Sequence, residues 1–532
     1  MERLEFKRQM KGMIGAIPVC ALITICLEVG LAFLHRGGSV EKHLIHFVIL
    51  LLAAEGMVLL YGAVPSVRRI WARIDREWWS AETRKPWVDI VYAALAILMM
   101  VHHFYVILYY PELPTGATRF APAWIPFAVI TVLTGKLWRD KGFWLGAVLA
   151  AYLFERTYLK NPDITGETMV YMVFVIYALV LCYGVFHVIR PQYRRTALRI
   201  LCAIWTLATL AYCAPGLYYK WTAIKVSNLG TGVTTVTQSR GLKIFANSNI
   251  TACIIAGGAL FSLTGFFTAR NGVSKALYLA ACFPMLVTNS LTYSRSCRYM
   301  LSFAIAGMVT LGIWGVLKKR VKITGRRNIL LAACLAVCMA GCFLGAAAGQ
   351  KSLEKVFKSL KENGGFIMST AQAETNETIL KKEPAEKDEI DDNGRRDIWN
   401  DAFHYIREHP GTLALGMSAD GSVRTAIGRD DHCHNILIQI LMEGGIPGIG
   451  LFLGLLAYFF FHACRLWMKW DLPMWKRALP LPVLAVMMME MVDCLTHFAY
   501  GHVPMTVLYF FMGSTVAVSR SLQGAIEKQQ AE

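Results

Sequence analysis

Residues 248–268 read SNITACIIAGGALFSLTGFFT, twenty-one positions with no Asp, Glu, Lys, Arg or His. As an α-helix rising about 1.5 Å per residue, this run spans about 30 Å, the thickness of a bilayer's hydrocarbon core. Working outward, similar apolar runs recur at 13–34, 44–64, 87–109, 121–136, 142–158, 169–188 and 197–214 on one side. On the other they fall at 275–293, 298–317, 328–348, 435–463, 478–497 and 503–520. The whole chain of 532 residues is 55% apolar and only 17% charged, where a soluble domain carries nearer a quarter. The expectation is an all-α polytopic membrane protein with about fourteen transmembrane helices and one large, partly helical extracytoplasmic loop.

A formal net charge of +18 would suit a nucleic-acid partner, but its placement does not. With the N-terminus inside, 31 Lys and Arg fall in or beside the cytoplasmic segments and 11 at the short external ones. The long segment 349–434 holds the other 12 against 16 acids. This alternation is the positive-inside pattern, and it expects both termini in the cytoplasm of a multi-pass protein of the cytoplasmic (inner) membrane. Met1–Gly12 followed by an apolar run reads as a retained signal anchor, since no small-residue cleavage site follows. Fourteen cysteines lie mostly within spans, where Cys acts as a small apolar residue, and give no external disulfide framework. Adjacent His432-Cys433-His434 cannot supply tetrahedral zinc geometry alone, and neither a metal nor another cofactor is expected.

The chain divides into 1–214, about seven N-terminal spans; 215–348, spans eight to eleven; 349–434, the extracytoplasmic loop; and 435–532, the last three spans. Within the loop, 351–365 (KSLEKVFKSLKENGG) reads as a short amphipathic helix on the membrane surface. The Glu/Lys/Thr-rich stretch 371–393 lacks large apolar residues and reads as flexible. From Gly394 helical spacing returns, with Trp399, Phe403 and Ile406 expected on one face until His409-Pro410-Gly411 ends the helix. The Gly-rich segment 411–433 then suits a loop over a site.

His434-Asn435, nine residues, then Gly445-Ile446-Pro447-Gly448 resembles the His-Asn…Gly-x-x-Gly signature of the O-antigen ligase and polymerase superfamily. The upstream Arg-x-x-x-Trp and His-Pro-Gly patterns are similar too. Arg240 with Asn247-Ser248-Asn249 resembles that family's Arg…Asn-x-Asn stretch, and Ser294-Arg295 its Ser-Arg motif, with Arg298 as an additional arginine. The motifs keep the family's order over about 235–465. The resemblance implies a membrane glycosyltransferase that moves a glycan from a polyprenyl (undecaprenyl) diphosphate to a glycan, lipid or protein acceptor outside the membrane. Ligation and repeat-unit polymerisation share this layout.

The residues fit such chemistry. A dianionic head at the bilayer surface needs fixed cations, and the planar fork of Arg binds phosphate bidentately. Arg240, Arg295 and Arg298 fall at expected external span ends, where the alternative is snorkelling toward headgroups. Two arginines could carry the charge of the departing diphosphate in place of a divalent metal. His434 is the candidate base for the acceptor hydroxyl, with a capping histidine as the alternative and His432 as a rival. Asp431 or Asp430 could orient its ring. Single attack would invert the anomeric centre. Asn247 and Asn249 could bond sugar hydroxyls or cap a helix, and Arg395 or Arg396 could bind a glycan. Glu490, Asp493 and His497 share one face of a span, and Glu28 and Glu55 lie inside spans. They keep open a lipid-linked glycan flippase or proton-coupled transporter, or plain helix–helix pairing.

Overall fold

The structure is a computed structural model that describes residues 89–94, 96, 127–160 except 129 and 133, 177–222, 248–292, 294–320, 326–362, 392–417, 423, 426–427, 433–469, 471–493 and 503–531. Among them there is helix and no strand. In chain order the helices are α1 (Lys141–Lys160), α2 (Tyr183–Val188), α3 (Pro191–Thr222), α4 (Ser248–Thr268), α5 (Gly272–Leu291) and α6 (Arg295–Arg320). They continue as α7 (Arg326–Glu362), α8 (Asp392–Glu408), α9 (Pro410–Leu415), α10 (Ile436–Met468), α11 (Met474–Ala478), α12 (Pro480–Asp493) and α13 (Val503–Ala531). Four stretches among the described residues are long and apolar enough to cross a membrane: Pro191–Ala214, Thr251–Thr268, Arg295–Gly315 and Ile436–Met468. Helices α1, α5, α7, α12 and α13 overlap further expected spans. The spans expected at 13–34 and 44–64, and most of 87–109, lie outside the described residues.

Helix α4 is apolar on every side, which is the signature of a helix enclosed by others. It packs against α3, α5, α6, α11 and α13. Phe261 on α4 stacks on Trp205 of α3 with centroids 5.0 Å apart, and meets Phe510 and Phe511 of α13 at 5.6 and 5.1 Å. These rings fill the centre of the bundle. Around it α6 packs on α7 and α12, α10 on α1 and α13, and α2 on α13.

Two expectations about the loop change. The segment from Lys351 is no separate surface helix, because α7 runs unbroken from Arg326 to Glu362. Only Gly349 interrupts its helix-forming residues near the join, and one interior glycine costs about 1 kcal/mol. Gln350 fastens this stretch to α6 by donating to the Ser302 hydroxyl at 3.1 Å. In α8 the buried face is Ile398, Ala402 and Ile406, so Phe403 points outward, 43% exposed. The true stripe follows the i, i+4, i+8 row rather than the row through Phe403.

At one end of the bundle, a buried carboxylate knots four elements together. Asp140 caps α1 by accepting from the Phe143 amide at 2.9 Å, and it takes the Tyr183 hydroxyl at 2.7 Å. It also accepts from Arg520 of α13 at 2.6 Å and from the Tyr458 hydroxyl of α10 at 3.3 Å. His187 stands 3.6 Å away, a neighbouring charge when protonated rather than a hydrogen-bond partner. Burial opposes ionisation of this carboxyl. His187, the Tyr183 hydroxyl and the Phe143 amide outweigh it and hold Asp140 well below the usual carboxylate range. Nearby, His462 meets the Ser519 hydroxyl at 3.0 Å and Arg465 donates to Gln523 at 2.7 Å.

Candidate active site at the other end of the bundle

The opposite end is built where helices α4, α6 and α10 begin and α12 finishes. Helix α6 starts in a tight turn: the Thr292 hydroxyl donates to the Asn289 carbonyl at 2.6 Å and accepts from the Ser294 amide at 3.3 Å. Ser294 is buried and shares a 3.1 Å hydroxyl contact with Ser296, and its carbonyl accepts the first helical bond, from the Arg298 amide, at 3.2 Å. The turn therefore makes Arg295 the first residue of α6, half-buried at the positive end of the helix dipole. Arg298, one turn on, lies with its guanidinium carbon 6.0 Å from the Tyr299 ring centre.

Helix α10 begins just as sharply. Asn435 caps it, its side-chain oxygen accepting from the Leu437 and Ile438 amides at 3.0 and 3.3 Å. The same side chain donates to the Met491 carbonyl of α12 at 3.2 Å. His434 just before it is half-buried and has φ 48°, the left-handed region. A non-glycine residue there costs on the order of 1–3 kcal/mol and persists only when its surroundings hold it, although His tolerates it better than most. The hold is visible on the preceding residue. The Cys433 amide donates to the Gln439 side-chain oxygen at 2.9 Å, and the Cys433 carbonyl accepts from the Trp399 indole at 2.8 Å. Gln439 donates in turn to Glu443 at 2.7 Å. Burial pushes the Cys433 thiol up to about 12, with Glu443 adding to the effect, so this cysteine is a neutral packing residue rather than a nucleophile.

Gly445 then breaks α10 with φ 58° and ψ −158°, and Pro447 lacks an amide to continue the ladder. The carbonyls freed at the break become a docking edge. Met417 donates its amide to the Met442 carbonyl at 2.8 Å. Gly416, φ 78°, passes so close that a Cβ there would stand 2.1 Å from the Glu443 carbonyl oxygen. From the other side α1 reaches the same strip, Tyr152 donating to the Leu415 carbonyl at 2.8 Å and Arg156 to the Gly416 carbonyl at 3.3 Å. A small apolar core of Ile398, Ala402, Ile406, Met417, Val423, Ile427, Cys433 and Met442 seats the loop on α10.

These contacts bring several sequence-derived candidates to one end. Met491 holds the start of α10, and Met489, two residues earlier on the same helix, lies 3.8 Å from Cys297 near the start of α6. Cys297 in turn lies 3.5 Å from Cys253 of α4, one turn below the half-buried Asn249. So His434, Arg295, Arg298 and Asn249 share this end. Arg395 and Arg396 sit on the first turns of α8, half-buried and exposed respectively. Arg240, Asn247, Asp430, Asp431, His432 and His497 lie outside the described residues, as do Glu28 and Glu55. Asp493 is the last residue of α12, and Glu490 one turn earlier is wholly buried.

The reading from residue patterns missed Gln439 and Glu443, the pair that supports the peptide before His434. Their signal was present as an amide and an acid spaced i, i+4 in an otherwise apolar span. It also missed Asp140, whose loop gives no sign of the partners that come from residues 183, 187, 458 and 520.

Compared with known proteins, residues 280–453 match the family described as O-antigen ligase, a stretch that includes Arg295, Arg298, the whole long loop and His434. The resemblance drawn from the motifs therefore holds over that region. No curated protein matches the chain.

Proposed function

We propose that this membrane protein is a glycosyltransferase of the O-antigen ligase type, acting on the external face of the cytoplasmic membrane. Both termini lie in the cytoplasm, about fourteen helices cross the bilayer, and 349–434 forms the external loop between the ligase-like helices 215–348 and 435–532. The donor is a glycan on a polyprenyl diphosphate, and the acceptor is a hydroxyl on another glycan, a lipid or a protein.

The residues divide the work between charge and proton. The diphosphate sits at the start of α6, where Arg295, backed by Arg298 and by Arg240 from 215–247, binds its oxygens beside a helix dipole. The acceptor oxygen attacks C1 of the donor sugar while His434 takes its proton. The C1–oxygen bond breaks on the opposite face, and the leaving diphosphate carries its electron pair onto oxygens held by the arginines. One displacement inverts the anomeric centre, and no metal takes part. Asn247 and Asn249 contact donor sugar hydroxyls, Arg395 and Arg396 the glycan chain, and Asp431 orients the His434 ring.

The observation that carries this reading is the conformation of His434. A histidine held left-handed, its neighbour Cys433 clamped by Trp399 and Gln439, stands at the head of a helix inside the matched region. The test is reconstitution in liposomes with a polyprenyl-diphosphate glycan and acceptor. His434→Ala and Arg295→Ala should keep insertion and abolish transfer, and chelator should leave the wild type active. Normal transfer by either variant would overturn the proposal. One chain per acceptor marks a ligase, and a ladder marks the repeat-unit polymerase, the nearest alternative.

The buried Glu490 of α12 favours one reading of another class, a flippase or proton-coupled transporter. In that case Glu490→Gln would stop glycan movement while His434→Ala would not.

A further inference from the structure

Just below the outer end, three helices present sulfur to one another. Cys253 of α4 and Cys297 of α6 lie 3.5 Å apart, and the Met489 sulfur of α12 lies 3.7 Å from the first and 3.8 Å from the second. All three side chains are buried, with Cys297 and Met489 fully enclosed. A point equidistant from three sulfurs at these separations is about 2.1 Å from each, near the roughly 2.3 Å of a metal–thiolate bond. The triangle is thus already close to the size that a bound ion would impose.

The geometry points to a soft monovalent metal site, for Cu(I), formed by Cys253, Cys297 and Met489. Two thiolates and a thioether select Cu(I) over harder ions, and three donors in a plane do not meet the tetrahedral demand of zinc. Binding is balanced: one Cu(I) enters, two S–metal bonds replace two S–H bonds, the thioether adds a third, and two protons leave. The copper changes no oxidation state. The resulting complex carries one negative charge. It forms within two turns of the starts of α4 and α6, whose dipoles favour an anion, and Cys297 is flanked in sequence by Arg295 and Arg298. Occupancy staples α4, α6 and α12 together beneath Arg295.

The test uses the full-length protein in detergent, reduced with ascorbate and titrated with Cu(I) against a chromogenic Cu(I) chelator. The wild type should take up one tight equivalent and unfold at a higher temperature with Cu(I) than without. Cys297→Ser should lose that equivalent, and Met489→Leu, which keeps the apolar volume, should weaken it at least tenfold and lose the thermal shift. Cys338→Ser should keep it, although Cys334, Cys338 and Cys342 are spaced four apart on α7. X-ray absorption of the loaded protein should show sulfur neighbours alone. Equal uptake by the wild type and a folded Cys253→Ser/Cys297→Ser double variant would overturn the proposal. So would a purified chain lighter by two hydrogens that takes up no Cu(I) after reduction.

Discussion

The two ends of the bundle solve opposite problems with similar residues. At one end a single carboxylate, Asp140, draws an arginine, two tyrosines and a backbone amide from different elements into one buried knot. Every contact is local and complementary, which is how a charge is tolerated away from water. At the other end cations and a histidine stand at helix starts, and the hydrogen bonds are spent on backbone. Trp399, Gln439, Asn435 and Tyr152 hold the peptides around His434 and Gly416. The first end is built to stay shut. The second is built to hold one strained residue and a glycine crossing in place.

The sharpest way to break this contrast is to exchange strain for chemistry. His434→Gly removes the imidazole and relieves the left-handed backbone at once. Transfer in proteoliposomes should fall by about 10²–10⁴, the span of a general base. The unfolding midpoint should hold or rise, since strain on the order of 1–3 kcal/mol is released. A fall in both would mean that His434 is structural. Asp140→Ala should do the reverse: breaking one partner of a buried pair costs about 3–5 kcal/mol of stability. The surviving folded fraction should transfer glycan at the wild-type rate. The pH dependence follows from the sign of the shift. Asp140 is depressed when folded, so its contribution is complete above the usual carboxylate value and is lost only as pH falls below it. Wild-type unfolding midpoints attributable to this knot should therefore stay level from pH 7 to about pH 5 and drop in stronger acid, and the variant should lack that drop.

The difference between the ends also marks what could be read from the chain. The four membrane-length helices among the described residues were legible because a bilayer imposes length and apolarity on contiguous residues, and the His434-Asn435 and Ser294-Arg295 motifs because their residues are adjacent. Asp140 was not legible: apart from the Phe143 amide, its hydrogen-bond partners come from residues 43 to 380 positions away, and nothing local distinguishes it from a solvated turn acid. The outward turn of Phe403 escaped for another reason. A two-row apolar stripe on α8 admits two phases, and only docking onto Met442 and Cys433 selects Ile398, Ala402 and Ile406. Likewise the left-handed backbone at His434 follows from contacts to residues 399 and 439, which no reading of the motif alone supplies.

A smaller effect should come from the glycine crossing that joins the loop to α10. Gly416→Ala meets two obstacles, a left-handed φ and the Glu443 carbonyl 2.1 Å from the new Cβ. The Met417–Met442 hydrogen bond would have to open, at a cost of about 2–3 kcal/mol confined to the loop. Limited proteolysis within 349–434 should speed up by ten-fold or more, while the Asp140 end keeps its thermal midpoint. If the whole bundle unfolds together, the ends are one cooperative unit and the contrast fails.

The mildest test isolates a single hydrogen bond. Trp399→Phe keeps an aromatic ring over the loop core but removes the indole donor to the Cys433 carbonyl. Cys433 is still anchored through its own amide, in the adjoining peptide, at Gln439, so the loss should be about 1 kcal/mol. Because the peptide concerned is the one that aims His434, the effect should appear as a lower kcat with KM unchanged, up to about ten-fold, rather than as unfolding. Glu443→Gln, which acts through Gln439 on the other peptide of the same residue, Cys433, should give a similar split, and the two together should fall short of the sum of the separate losses. Full additivity would mean that Trp399 and Glu443 serve different elements. In that case the clamp on His434 would be Trp399 alone.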